Sequence, residues 1–395
     1  MKILISGAGI AGPVLAWWLV RYGFEPVLVE AAPRPRTGGY MLDFWGVGYD
    51  VAERMGLIPE LRQKGYQPPE VRVVGADGRR VAGFDARAFA RITAGRVVSL
   101  PRGDLARAIY GAVEGRVETL FGNSITAIEQ TASGVRAAFE RGPAREFDLV
   151  VGADGLHSRV RELVFGPQSR FEKYLGYKAA AFEAEGYRPR DERVYVMYTR
   201  VGQQVVRFAM RDGRTMFFFT YADPHPAIPQ ELGLQKIELR ARFEHSGWEC
   251  ERILEALDGA GELYLDRVSQ IRMDPAEGLW SRGRVTLIGD AAFCVSLLAG
   301  QGSALAMAAG YVLAGELHRA RGDYARAFAG YQEMLGAFLL EKQKAALRMA
   351  GTFAPKSRLS LWMRNQIFRL MAIPWVADLA VGRELVDRIS LPEYG

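Results

Sequence analysis

The chain has 395 residues, enough for one large or two to three modest domains, and its 49% hydrophobic and 24% charged residues are ordinary for a globular protein. Two cysteines, Cys250 and Cys294, exclude a disulfide scaffold or a cysteine zinc site, and four scattered histidines show no metal-ligand spacing. The net charge of +6 is spread along the chain, mostly as arginine; this argues against nucleic-acid binding and suits attraction of anionic cofactors. No apolar stretch approaches a membrane span, and residues 1–7 run straight into a strand rather than a signal peptide, so a cytoplasmic protein is expected.

In chain order, residues 2–7 (KILISG) predict a buried strand. A glycine-rich turn and an apolar helix to about residue 22 follow, with Gly23 as the C-cap. Residues 25–30 (EPVLVE) predict a second strand and complete a βαβ opening. Alternating runs from about 70 to 100, with the turn Ala76-Asp77-Gly78, predict small strands or hairpins. Leu105 to Val113 reads as a helix, and 117–151 as strands ending in FDLVVGAD. Between about 170 and 270, RVYVMYT, QVVRFAM and TMFFFTY precede a helical stretch at about 235–257. That texture predicts a separate antiparallel sheet with one helix, inserted into the first domain. Residues 284–290 (RVTLIGD) predict another buried strand, then a glycine turn and an alanine-rich helix from about 302. Two further helical stretches are expected at 324–350 and roughly 357–390, the last interrupted by Pro374.

Three motifs carry chemistry. In Gly7-Ala8-Gly9-Ile10-Ala11-Gly12, Gly7 allows a tight turn, Gly9 lets backbone approach a pyrophosphate, and Gly12 allows close helix–strand packing. The helix N-terminus then favours the diphosphate charge, and Glu30, closing the second strand, can accept from a ribose diol. NAD or FAD satisfies this fingerprint equally. Residues 149–161 (LVVGADGLHSRVR) fit the pattern DGxxSxxR at Asp154, Gly155, Ser158 and Arg161. Residues 284–302 deliver Gly289-Asp290 from a strand to a helix-opening turn at Gly300-Gln301-Gly302.

Together and in this order, the three motifs resemble those of the group A flavoprotein monooxygenases, the aromatic hydroxylases, over about residues 1–345. The resemblance implies an α/β fold: a Rossmann-like FAD-binding domain (1–168 and 281–345), an inserted antiparallel β-sheet substrate domain (169–280) and a C-terminal helical segment (346–395). It implies that Gly7, Gly9, Ile10, Ala11, Gly12 and Glu30 hold the ADP half of FAD. Asp290, after Gly289, would bond the ribityl or pyrophosphate region, and the helix after Gly300, Gln301 and Gly302 would aim its amides at the isoalloxazine. Asp154 and Gly155 would sit where FAD meets incoming NADPH (or NADH), with Arg161 supporting that loop. Arg102 matches the family's flavin-contacting basic residue; Arg36 is a candidate for the adenosine phosphate, with Arg34 competing.

In this family the hydroxylating agent is a flavin C4a-hydroperoxide formed from O2, so the protein supplies neither nucleophile nor metal but positioning and desolvation. An aromatic or polyketide-like small molecule, of the kind met in secondary metabolism, is the expected substrate. Its pocket would take Asp43 together with Met216 and Phe218, which share one face of TMFFFTY, while Phe217, Phe219 and Tyr221 occupy the other. The chain departs from the family's GDAAH and following proline, carrying Phe293 and Leu297 instead; Leu297 joins the expected pocket. Two alternatives stand beside the hydroxylase: a geranylgeranyl-type flavoprotein reductase, and a flavin-binding protein without turnover. The stretch LWMRNQIFRLMAIPWVADLAVG is expected to pack on the body of the protein as an amphipathic helix, with a membrane-surface position as its alternative.

Overall fold

The computed structural model describes residues 1–35, 38–274, 278–371, 387 and 389–395. Arg36 and the end of the C-terminal stretch therefore lie outside the described residues. Ile3, Leu4 and Ile5 are fully buried on the opening strand Lys2–Ser6. Such a run, apolar on both faces, belongs at the centre of a parallel sheet covered by helices. The strand lies between Leu149–Gly152 and Glu25–Glu30, with Val285–Leu287 and Glu118–Phe121 outside them, all parallel. A two-residue antiparallel strand, Ser281–Arg282, completes the edge. The helix Ala11–Arg21 packs against the long helix Gly302–Arg319, so the first and third motifs meet although they lie far apart in the chain.

A second sheet has seven strands in the order Tyr264–Ile271, Glu172–Glu185, Arg214–Ala222, Gln203–Ala209, Tyr195–Arg200, Glu70–Val74 and Arg80–Asp85. The hairpin expected near 70–100 thus extends the aromatic sheet, through a parallel pairing that sets Tyr195 opposite Val71. The single helix expected at about 235–257 is two, Leu232–Phe243 and Cys250–Asp258. His245 (φ 57°), Gly247 (φ 87°) and Trp248 (φ 52°) take left-handed backbone between them, which no continuous helix accommodates. A two-stranded ribbon, Met41–Trp45 with Val97–Pro101, sets Asp43 opposite Ser99.

The helix Tyr324–Phe353 is followed by Arg358–Leu370. This last helix does pack on the body of the protein, through a mixed face: it buries Arg364 and sets Phe368 against Phe84, ring centroids 5.5 Å apart, while exposing Leu359, Trp362, Met363, Ile367 and Leu370.

Candidate active site

The glycine loop is built by close approaches that differ at each glycine. A Cβ on Gly7 (φ 109°) would stand 2.4 Å from the Ala153 carbonyl oxygen, and one on Gly12 only 2.0 Å from the Gly7 oxygen. A Cβ on Gly9 would meet nothing within 4 Å, so this position opens onto the cavity. The Glu30 carboxylate holds the loop, accepting from Ala8 N at 2.8 Å and Ala32 N at 2.9 Å. Two helices, Ala11–Arg21 and Gly302–Arg319, start at this cavity without a side-chain cap, so their terminal amides are available to a ligand. Arg102 opens a third helix in the cavity wall, its backbone N–H donating to Tyr40 O at 2.9 Å, and its guanidinium has no ion pair among the described residues. Burial pushes the Asp290 carboxyl upward, opposed by the Arg102 charge. A glycine cradle open at Gly9, uncapped helix ends and an uncommitted arginine fit a flavin dinucleotide.

The DGxxSxxR motif serves chiefly as a joint. Asp154 accepts from Ser158 Oγ, from Arg159 N at 2.9 Å and Val160 N at 3.1 Å, and from Ser6 Oγ at 3.3 Å. Its carboxylate caps the helix Arg159–Phe165 and pins that helix to the opening strand. Arg161 is fully buried; its Nη1 donates to Ala291 O at 2.9 Å and its Nη2 to Leu156 O at 2.7 Å. It therefore ties the loop after Asp154 to the turn after Asp290. Gly155, Gly300, Gln301 and Gly302 line the same cavity, and Gly289 (φ 61°) packs its α-carbon where a Cβ would reach Ala11 Cβ at 3.2 Å.

The cavity, about 2100 Å³, runs from this loop to the seven-stranded sheet. Alternation decides which residues face it. Phe217, Phe219 and Tyr221 pack with Leu239, Phe243 and Ile253 of the two covering helices, whereas Met216 and Phe218 line the cavity. Phe218 lies between Ala181 and Val206 on the neighbouring strands, and both line it too. Leu297 is half-buried in the wall and packs in the same cluster as Phe218; Phe293 is buried against Trp280, ring centroids 5.2 Å apart.

Asp43 faces the cavity from the ribbon. It accepts from Ser99 Oγ, and Tyr195 of the seven-stranded sheet faces it across the cavity wall, so three elements converge on one carboxyl. Burial pushes that carboxyl above the ordinary range despite both hydroxyls, which favours retention of a proton. Tyr40 packs at a tilt against Phe218 and Tyr264, ring centroids 5.7 and 5.6 Å away, and burial raises its phenol to about 12 against the Arg102 charge. Sequence reasoning passed over Ser99, Tyr195, Tyr40 and Tyr264. Tyr195 could have been found: it alternates with Val194, Val196 and Tyr198, which pack under the helices, so Tyr195 and Met197 must face the other way.

His157, beside the capping Ser158, closes the cavity mouth by bonding Asp266 of the sheet at 3.1 Å. The Asp266 hydrogen bond raises the imidazole's pKa, so the pair's contribution is fully present below the unfolded value of about 6.5 and is lost as pH rises through the folded value. The melting-temperature gap between the native chain and His157→Asn is expected to shrink as pH rises from about 6 to about 9. A gap that widened over that range would refute the assignment.

The comparisons agree with this geometry. A family model described as an FAD binding domain matches residues 1–245. The chain is 38% identical over 346 residues to an uncharacterized protein of Mycobacterium tuberculosis, covering 86% of this chain and 91% of that one. It is 31% identical over 398 residues to a flavin-dependent monooxygenase of Legionella longbeachae, covering 100% and 98%. The crystal structure of tetracycline destructase Tet(51) superposes with a TM-score of 0.83 at 31% identity, covering 100% of this chain and 99% of that one. A phosphate loop, a jointed second motif and a third motif meet at one cavity here, the family model spans more than half of the chain and named relatives match over nearly its whole length: the chain belongs to the group A, FAD-dependent flavoprotein monooxygenases.

Proposed function

We propose that this FAD-dependent monooxygenase hydroxylates a planar, oxygen-bearing ring system of aromatic or polyketide type, taking electrons from NADPH. The observation that carries the reading is the continuous cavity of about 2100 Å³ between the glycine loop and the aromatic sheet face. Small-molecule pockets commonly measure ~300–1,000 Å³, so this volume suits a dinucleotide and a multi-ring substrate together. Gly7, Gly9, Ile10, Ala11 and Glu30 would hold the ADP half, with Gly12 packing the loop from behind rather than lining the cavity, and Asp290, Gly300, Gln301, Gly302 and Arg102 the flavin end. Asp154 and Gly155 would border the approach of the nicotinamide. Bound flavin supplies the redox chemistry that activates oxygen.

The protein's own work is orientation and exclusion of water. Met216, Phe218 and Leu297 offer an apolar wall to a flat ring, and Asp43 offers one hydrogen-bonding edge to a phenol or enol oxygen. The likeness to a tetracycline destructase makes tetracycline, a fused-ring enol, the first probe. With tetracycline or a phenol panel, several-fold stimulation of NADPH oxidation is expected, with oxygen uptake and a product heavier by one oxygen atom. A flavin-loaded chain that no member of the panel stimulates would sink the reading. NADH in parallel tests the choice of reductant. The cytoplasm is the proposed compartment, on the two unpaired, buried thiols Cys250 and Cys294. The substrate unit would comprise residues 169–280 with the 70–85 hairpin that extends their sheet.

A further inference from the structure

The helix Arg358–Leu370 turns Arg364 and Phe368 inward and leaves an apolar face to solvent. Arg364 is 4% exposed and donates to Thr199 Oγ1 at 3.0 Å, whereas Leu359, Trp362, Met363, Ile367 and Leu370 are 51–66% exposed. At the ~100° per residue of an α-helix these five fall in one stripe roughly 140° wide. Five exposed apolar side chains in one sector, interrupted by the half-buried Gln366, mark an interaction surface rather than ordinary scattered exposure.

What surrounds the stripe specifies the partner. Arg358 and Arg369 are exposed and lie along one margin of it beside Trp362; exposed Lys356 precedes the helix. Arg200 and Arg358 line one small hollow, with Glu244 as its acid, and the hairpin tip there adds Val201, 43% exposed. That tip is fixed to the helix's approach by Gly202 N donating to Pro355 O at 2.8 Å. No aspartate or glutamate occurs from Pro355 to Ile373. Apolar side chains with a tryptophan and a cationic margin match the headgroup–acyl boundary of an anionic bilayer, which attracts basic residues held near its surface. No helix among the described residues is long and apolar enough to cross a membrane, so the contact is one of surface.

We propose that the helix Arg358–Leu370 docks on an anionic lipid surface. Met363 and Ile367 belong both to the stripe and to the cavity wall, so docking sets the cavity's rim against the bilayer. A lipid-soluble ring system then reaches the cavity without crossing water; this last step rests on the substrate reading above, and the docking does not.

The test is sedimentation of the full chain with phosphatidylcholine vesicles, with and without phosphatidylglycerol. Several-fold more protein should pellet with the anionic vesicles, and high salt should reverse it. Leu359→Ser with Trp362→Ser and Leu370→Ser should abolish pelleting, and Arg358→Glu with Arg369→Glu should remove the preference for anionic lipid. Both variants alter exposed side chains outside the cavity, and retained flavin absorbance checks their folding. The proposal is overturned if the native chain stays in the supernatant, pellets equally with neutral vesicles, or pellets unchanged in both variants. It is equally overturned if size-exclusion chromatography shows a dimer that the triple serine variant dissolves, with no lipid binding; the stripe's occupant is then a second copy.

Discussion

Gly9→Val is expected to give a folded but colourless protein, while Gly12→Val gives little folded protein at all. The two glycines lie three residues apart in one loop, yet different partners constrain them. A Cβ at Gly12 would stand 2.0 Å from the Gly7 carbonyl oxygen, a backbone atom that cannot rotate away. Relieving that contact requires the first helix to withdraw from the central strand, where Ile3, Leu4 and Ile5 have no exposure. Such a shift costs more than a single substitution's usual ~0.5–3 kcal/mol, against a total stability of only ~5–15 kcal/mol. At Gly9 the protein offers a Cβ no contact within 4 Å, and the residue has no left-handed backbone to defend. A valine there meets only what enters the cavity. If a diphosphate lies against the loop, its close approach is lost and flavin affinity falls at least ~100-fold, about 3 kcal/mol. Circular dichroism melts and flavin absorbance after purification separate the outcomes. A Gly9→Val protein that remained fully yellow would remove the diphosphate from this loop.

The contrast also shows which parts of the molecule a linear reading reaches. The strand–turn–helix at residues 2–21 was legible because its determinants are local: a run of buried aliphatics, then glycines at fixed offsets. The split of TMFFFTY into Phe217/Phe219 and Met216/Phe218 faces was legible for the same reason, since a strand alternates whatever it packs on. Pairing over distance was not. Nothing near Val71 announces Tyr195 beside it, and Asp43 gives no sign of Ser99, 56 residues on. The break between Leu232–Phe243 and Cys250–Asp258 depends on left-handed backbone at His245 and Trp248, to which apolar periodicity is blind; Gly247 was the available signal. For Arg358–Leu370, periodicity identifies the stripe but not the direction it points. Arg364 goes inward because Thr199 accepts from its guanidinium there, a fact of the fold rather than of the helix.

Arg161→Met is expected to lower the melting temperature and loosen the flavin together. Methionine nearly matches the arginine stem and keeps the site apolar, so little cavity is created. Two effects then oppose each other. Removing a buried guanidinium relieves its desolvation, which already pushes its pKa below the ordinary arginine value and is the reason buried charges often yield nothing when replaced. Against this, its acceptors are backbone carbonyls, Leu156 O and Ala291 O, which the substitution cannot remove. Each buried carbonyl left without a donor costs about 1–3 kcal/mol, and Asp154 and Glu172 also lose the nearby positive charge. The carbonyls win, and a net loss of about 3 kcal/mol is expected. With an unfolding entropy of about 2 cal/mol/K per residue, that is a fall of about 4 °C for a chain of this length. A purely structural defect would stop there. Arg161, however, is the strut between the loop after Asp154 and the turn after Asp290, which border the cavity from two separate strands. Releasing it lets the two walls drift, so flavin titration should show weakened binding at temperatures where the variant is still folded. Arg161→Lys, whose single amine cannot reach both carbonyls, should fall between. Unchanged melting with unchanged flavin affinity would mean that the second and third motifs hold their places without this bridge.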